Sequence, residues 1–417
     1  MSGWALWWHG VSTDWRHYAV IGVAGVVIWV LWAWRWTLSR LDRPVDNEFR
    51  TTTSVVVPSY REDPDVLMRC LKTWRAEQPT EIIVVVDTDD VECYQRLTAE
   101  PDPLVKAMKF VHRGKRSALG AGIRQATGEV VVLADSDTSW EPGLLAALQM
   151  PFNDPDVGGV GSRQSVYQRK SSIWRRVAAW LIDLRYSDYV PAMGRAGGVV
   201  CLSGRTAAYR RSAIMPVLPH LEDEFFLGRR CIAGDDGRLT WLVLASGYKT
   251  VHQSSAHAVS MFPTTFAAFV KQRVRWSRNS YRCYLTAAYK GWLWRQPLVS
   301  QVTVLQILAT PVTMGYALGT LALSRLQLTA VGATLAVTWL LLGRGIRSLS
   351  HLRHHPGDIW LLPLVVIVTI AVSLPIKTFA FLTMNRQGWL TRDADHVGGQ
   401  GQTEGTVLHH TQETARA

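Results

Sequence analysis

This chain is poor in charge and poor in cysteine. Of its 417 residues only 19% are Asp, Glu, Lys or Arg, against 48% hydrophobic, a balance that excludes intrinsic disorder. Acids are the scarcer sign, 33 against 45 Lys and Arg, which leaves a formal charge of +12. No Lys-rich tail or zinc-type spacing accompanies that excess, so it does not point to nucleic acid. The five cysteines (Cys70, Cys93, Cys201, Cys231 and Cys283) form no CxxC pair. An odd, sparse set fits free thiols in a reducing compartment rather than a disulfide framework. Internal repeats are also missing. What is plentiful is Trp, 19 residues of a type that gathers at membrane–water interfaces.

The apolar residues concentrate at the two ends. His17 to Trp34 holds 18 residues without Lys, Arg, Asp or Glu, roughly 27 Å of helix and enough for one crossing. Arg35, Arg40 and Arg43 follow it and place that flank in the cytoplasm. A cleaved signal peptide would carry its basic residues first, so residues 1–40 read as an uncleaved anchor. Residues 296–324, 326–343 and 359–376 are again uncharged. The link from Arg344 to His355, with three Arg and three His, is another cytoplasmic signature. Gln168–Trp180 and Tyr281–Trp294 mix Arg or Lys with Trp, as either interfacial or ordinary amphipathic surface helices do. These patterns divide the chain into an anchor (1–40), a cytoplasmic domain (41–282), an interfacial helix (283–295), a membrane region (296–392) and a polar tail (393–417).

Between the ends, short β-branched runs alternate with helix-like stretches. Thr53–Val57, Glu81–Asp87 and Glu129–Asp135 read as buried strands of a parallel sheet; Pro64–Arg75 and Lys115–Gln125 read as helices. The alternation predicts a doubly wound α/β domain that binds ligands at the carboxyl ends of its strands.

The chemistry-bearing residues fall at those ends. Asp87 closes one strand and Asp135-Ser136-Asp137 the next; two carboxylates so spaced can share a hard divalent cation. His112–Arg116 enters a helix, where cations and free N–H groups suit a diphosphate, though a solvated basic turn has the same composition. Gly234-Asp235-Asp236 can hold an ionised Asp ready to accept a proton, and Asp is also a common helix cap. Gln272, Arg275 and Trp276 share one helical face, offering an amide, a cation and an aromatic platform for a sugar.

Taken in order, these pieces resemble the processive family-2 membrane glycosyltransferases, and most of all the hyaluronan synthases. The resemblance rests on Val57–Asp63, Gly114–Arg116, Asp135–Thr138, Cys201–Gly204, Tyr209–Arg211, Gly234–Asp236, Gln272–Trp276 and Trp389–Arg392. It implies a GT-A-type nucleotide-sugar domain inserted between transmembrane and interfacial helices. Tyr60, Glu62 and Asp87 would line the uridine pocket, and Lys115 and Arg116 would meet the diphosphate. Asp135 and Asp137 would hold Mg²⁺ or Mn²⁺, with Asp137 closer to it. Asp236 would be the base, Gln272 and Arg275 would bind the donor, and Ser203, Gly204 and Trp276 would support the acceptor. Trp389, Thr391 and Arg392 would close over the nucleotide. The implied activity is inverting polymerisation of UDP-sugars into a β-linked, hyaluronan-like chain, moved outward through a multi-pass protein of a bacterial-type plasma membrane. A single-donor, chitin-like synthase is the alternative.

The sequence departs from the family pattern at Thr88-Asp89-Asp90, at Gly237 before Arg238, and at Leu390. The spans also pose a problem. Gln272–Trp276 and Trp389–Arg392 must share one side if both touch UDP, yet three apolar segments separate them. Either the last segment, with Pro363, Pro375 and Lys377, is re-entrant, or residues 296–324 fold back. A transporter would need more, paired spans with intramembrane charges. A nucleotide sensor would bind UDP without turning over any UDP-sugar.

Overall fold

The computed structural model describes residues 15–99, 101–111, 114–323 and 330–386. Its centre is a sheet of eight strands: β1 (Thr53–Ser59), β2 (Glu81–Asp87), β3 (Val105–Phe110), β4 (Val130–Ala134), β5 (Thr138–Trp140), β6 (Val157–Val166), β7 (Thr206–Arg210) and a last long strand, Lys249–Ser260. β1, β2 and β4 are the three strands expected from the apolar runs. They lie side by side and parallel, with β3 outside β2. Chain order reverses on either side of β1, which makes the crevice beyond its carboxyl end the natural ligand position.

The expectation of a parallel sheet holds for that half and for β6 beside Lys249–Ser260, but not throughout. β7 runs antiparallel to both β4 and β6, and β5 is antiparallel to Lys249–Ser260. Thr206–Arg210 has no local feature that sets its direction; pairing with strands distant in sequence does. The sheet is therefore mixed.

Alternation along β1 sends Val55 and Val57 into the core on one face and Val56 into the core on the other. The first face is covered by the helix Pro64–Ala76, started by Asp63, whose carboxylate accepts from the N–H groups of Asp65 and Val66, with Pro64 at the first position. At the opposite sheet end, Glu81 accepts from Ser54 Oγ (2.7 Å), Thr127 N (2.7 Å) and Lys106 Nζ (2.6 Å). Gly128 sits against this knot because a Cβ there would lie 2.7 Å from Ser54 N.

The second core is continuous with the C-terminal helices, through Val299, Val304, Leu361, Val365 and Val368. Leu298–Tyr316 and Pro356–Leu382 are long and apolar enough to cross a membrane. The second is irregular, with a wide π turn at Val368–Val372 just ahead of Pro375, a way to accommodate the missing N–H. The N-terminal helix Trp15–Leu41 joins this region, and its buried Arg35 donates to Gln306 Oε1 at 2.6 Å.

The two stretches with an interfacial pattern are placed differently. Gln168–Trp180 lies largely in the helix Ile173–Leu184, whose Val177, Ala178 and Trp180 are core residues. The boundary expected between 282 and 283 falls inside one continuous helix, Phe266–Tyr289. The tail 393–417 lies outside the described residues.

Candidate active site

Two adjoining clefts open at the carboxyl ends of β1, β2 and β4. The smaller is walled by Pro58, Tyr60, Val85, Asp87, Phe110 and Ala118, a slot with an aromatic wall and one carboxylate. The larger, about 130 Å³, contains Lys115, Asp135, Ser203, Gly204, Asp235, Asp236, Arg275 and Trp276 among its walls. Lys115 lines both.

Lys115 is the first residue of the helix Lys115–Gln125, entered through Gly114 at φ +92°, a value suited to glycine. Its ammonium lies 2.7 Å from Asp135 Oδ1 and 3.0 Å from Asp235 Oδ2. Asp235 and Asp236 open the helix Asp235–Ala245, where the helix dipole favours negative charge. Gly234 before them has φ +80°. Gly204 closes the group, since a Cβ there would lie 3.4 Å from Lys115 Nζ, from Asp235 Oδ2 and from Asp236 Cβ.

The carboxylates differ in electrostatics. Burial alone would raise Asp135, but Lys115, helped by Arg205 and Arg275, holds it below the ordinary carboxylate range. Asp236 is raised, first by burial and then by the neighbouring Asp235, with Lys115 opposing. A raised carboxyl is the better proton acceptor once ionised, which separates the roles of two acids in one cleft. Asp236 Oδ1 accepts from Gly237 N at 2.8 Å, which fixes its orientation.

At the other end Trp276 meets Phe262 edge-on, ring centres 6.2 Å apart, and the Arg205 guanidinium lies over both rings. Arg185 and Tyr186 complete this wall. They stand on a wide π turn, Arg185–Tyr189, just ahead of Pro191. Arg185, Tyr186 and Arg205 were not singled out from the sequence. Pro191 after an apolar helix was the one available signal for the first two.

Most expected residues converge here: Tyr60 and Asp87 on the slot, and Lys115, Asp135, Ser203, Gly204, Asp236, Arg275 and Trp276 on the larger cleft. Arg116 does not. It is buried, donating to Glu224 Oε2 (2.7 Å), Ala233 O (2.8 Å) and Gly234 O (3.1 Å), so it fastens the segment before Asp235 instead of facing a diphosphate. Glu62 is likewise buried and lines neither cleft; it accepts from Ser136 Oγ and ties the end of β4 to that of β1. Gln272 is buried and lines neither cleft, its Oε1 without a hydrogen-bond partner among the described residues. Asp137 is half-buried and lines neither cleft, accepting from Thr138 Oγ1 at 3.4 Å. Trp389, Thr391 and Arg392 lie outside the described residues.

The donor set suits the metal that the family resemblance implies. Carboxylate oxygens converge on one ammonium, a cation already held where hard anionic ligands meet. The two sulfurs in the lining of the larger cleft, Cys201 and Cys283, are pushed up by burial, Cys201 to about 12, and stay thiols. Oxygen ligation without thiolate is the preference of Mg²⁺ and Mn²⁺.

A glycosyltransferase-like family 2 model matches residues 50–279. An N-acetylglucosaminyltransferase of Rhizobium leguminosarum bv. viciae is 29% identical over 414 residues, 93% of each chain. A hyaluronan synthase of Streptococcus pyogenes is 26% identical over 390 residues, 90% of this chain and 91% of that one. A mannosyltransferase of Pyrobaculum calidifontis, solved with GDP-Man and Mn²⁺, superposes with a TM-score of 0.63 at 20% identity, covering 89% of this chain and 99% of that one.

Proposed function

Because the chain belongs to glycosyltransferase family 2, we propose that it builds a β-linked polysaccharide from UDP-sugars, taking UDP-GlcNAc as a donor. The observation that carries this reading is the Lys115–Asp135–Asp235–Asp236 cluster between the slot walled by Tyr60 and Asp87 and an aromatic acceptor wall. Tyr60 and Asp87 bind the uridine, and Lys115 and Arg275 face the diphosphate. Asp236 takes the proton from the acceptor hydroxyl, while Trp276, Ser203 and Gly204 hold the acceptor sugar. Asp135 and Asp137 would hold the divalent metal. When bound, it stabilises negative charge on the departing UDP. Attack from the face opposite UDP inverts the anomeric centre.

Two product readings have support. The names of the rhizobial relatives favour a single-donor GlcNAc polymer. Arg185 and Arg205 at the acceptor wall favour a chain containing uronate carboxylates, as in hyaluronan from UDP-GlcNAc and UDP-GlcA. The N-terminal helix and the apolar C-terminal helices anchor the enzyme in the membrane with the catalytic domain in the cytoplasm, and the product leaves between them. The test is purified protein with Mn²⁺ and radiolabelled UDP-GlcNAc, with and without UDP-GlcA. Polymer from UDP-GlcNAc alone excludes the hyaluronan reading, and a hyaluronidase-sensitive product made only with both donors establishes it. No turnover of any UDP-sugar overturns the proposal.

A further inference from the structure

A second cluster of chemistry-bearing side chains lies away from this cleft, where the Arg- and His-rich link meets the catalytic domain. His351 is fully buried there and stacks on Trp180 with ring centres 4.6 Å apart; Trp180 Nε1 donates to Ser348 Oγ at 2.9 Å. His351 Nδ1 lies 2.7 Å from Asp183 Oδ2, and its Nε2 lies 3.1 Å from Asp358 Oδ2. His355, one helical turn on, brings its Nε2 to 3.8 Å from the same Asp183 oxygen. The ligand atoms of Asp183, His351 and His355 all lie within 4.8 Å of one another.

The two carboxylates are not equivalent. Asp358 is paired with Arg169 (2.9 Å) and Arg176, so its charge is balanced. Asp183, among the described residues, forms its ion pairs only with the two imidazoles. It therefore supplies a negative charge facing two nitrogen donors. Asp358 on the far nitrogen of His351 is the outer carboxylate that orients a metal-binding imidazole and fixes its tautomer. Ligands about 2.0–2.1 Å from a tetrahedral zinc stand about 3.3 Å apart. The two separations from Asp183, 2.7 and 3.8 Å, bracket that value, and all three ligand atoms lie within 4.8 Å of one another, so closing on one ion draws His355 inward. A cleft lined by Arg169, Lys170, Arg176, His354, His355 and Asp358 opens beside the cluster, so His355 is reached from solvent.

We propose that Asp183, His351 and His355 bind a zinc-type divalent ion that fastens the link 344–355 to the catalytic domain. The donor set, two imidazoles and a carboxylate, differs in kind from the all-oxygen set at Asp135 and selects a borderline-soft metal over Mg²⁺. The site has a structural consequence for catalysis. Asp183 precedes by two residues the wide turn that carries Arg185 and Tyr186 into the acceptor wall, so the ion braces that turn from behind.

The test uses the full-length protein in detergent, stripped with chelator and titrated with Co²⁺ and Zn²⁺. The expected result is one Co²⁺ per chain that gives the strong visible absorption of a four-coordinate nitrogen–oxygen site, apart from any weakly absorbing Co²⁺ on the oxygen ligands at Asp135, and that is displaced by Zn²⁺. Asp183→Asn and His355→Ala should each weaken binding about tenfold or more. His354→Ala, on the exposed neighbour, and Asp135→Asn, in the catalytic cleft, should leave the spectrum unchanged. His355 is partly exposed, so its replacement tests the site without emptying the core; thermal unfolding of the metal-free variant at the wild-type temperature confirms this. Absence of the four-coordinate spectrum overturns the proposal, and so does its persistence in both Asp183→Asn and His355→Ala. Because the readout is metal binding, failure of the polysaccharide reading would leave it standing.

Discussion

Replacing Asp236 by Asn separates catalysis from stability. The change removes the proposed base but keeps the side chain's size, and the amide oxygen can still accept from Gly237 N, now at 2.8 Å from Oδ1. Loss of a positioned base slows the chemical step by about 10²–10⁴-fold, or about 2.7–5.4 kcal/mol in the barrier. Stability should move the other way. The Asp236 carboxyl is raised by burial and by Asp235, so ionising it is harder in the folded chain than in the unfolded one. Between the unfolded value near 3.8 and the raised folded value, the unfolded state releases its proton first, and wild-type stability falls as pH rises. Above that window the wild type carries the full penalty and Asn carries none. At pH 7, Asp236→Asn should therefore melt at or above the wild-type temperature with EDTA present, and with Mn²⁺ it should bind UDP normally and form polymer at least a hundredfold more slowly. Thermal unfolding, UDP calorimetry and radiolabel incorporation supply the three measurements. Full polymerisation refutes the base assignment, and a clear fall in melting temperature refutes the electrostatic reasoning.

Arg116→Met should act on folding. It leaves Glu224 short of one buried partner and costs about 3–5 kcal/mol, seen as a lower melting temperature in detergent; an unchanged melting temperature with a raised KM for UDP-sugar would restore a diphosphate role. Glu81 is held at about 2, burial being outweighed by Lys106, Thr127 and Ser54. Its stabilisation is complete above the unfolded value of about 4.5 and is lost as pH falls toward 2, so Glu81→Gln should cost about 1–3 kcal/mol at pH 7 and nothing at the acid end, in urea titrations at several pH values. Gly128→Ala should destabilise by about 1–3 kcal/mol because the new methyl meets Ser54 N at 2.7 Å; equal denaturant midpoints would show that the strand ends yield. Trp276→Ala should release UDP by hydrolysis while polymer yield collapses, measured by coupled UDP release against radiolabel; proportional loss of both signals would place Trp276 outside the acceptor site.

By itself the sequence determined the strands β1, β2 and β4, the acids at their ends and the helical face that carries Arg275 and Trp276. Each of these is local: burial on both faces produces a short unbroken apolar run, and helical spacing puts positions three and four apart on one side. Only the tertiary structure decided which charged residues face substrate. Arg116 and Lys115 are adjacent in sequence, yet one fastens a segment 108 positions away while the other joins Asp135 to Asp235. The direction of β7, the turn that presents Arg185 and Tyr186, and the meeting of Asp183 with His351, 168 positions later, have the same origin. Local pattern records which residues are buried, but partners for buried charge are chosen by packing across the whole chain. The scarcity of charge is what makes those partners count: among the described residues, buried ionic side chains are held by ion pairs, as at Lys115–Asp235 and Arg116–Glu224, or by hydrogen bonds, as Arg35 is to Gln306.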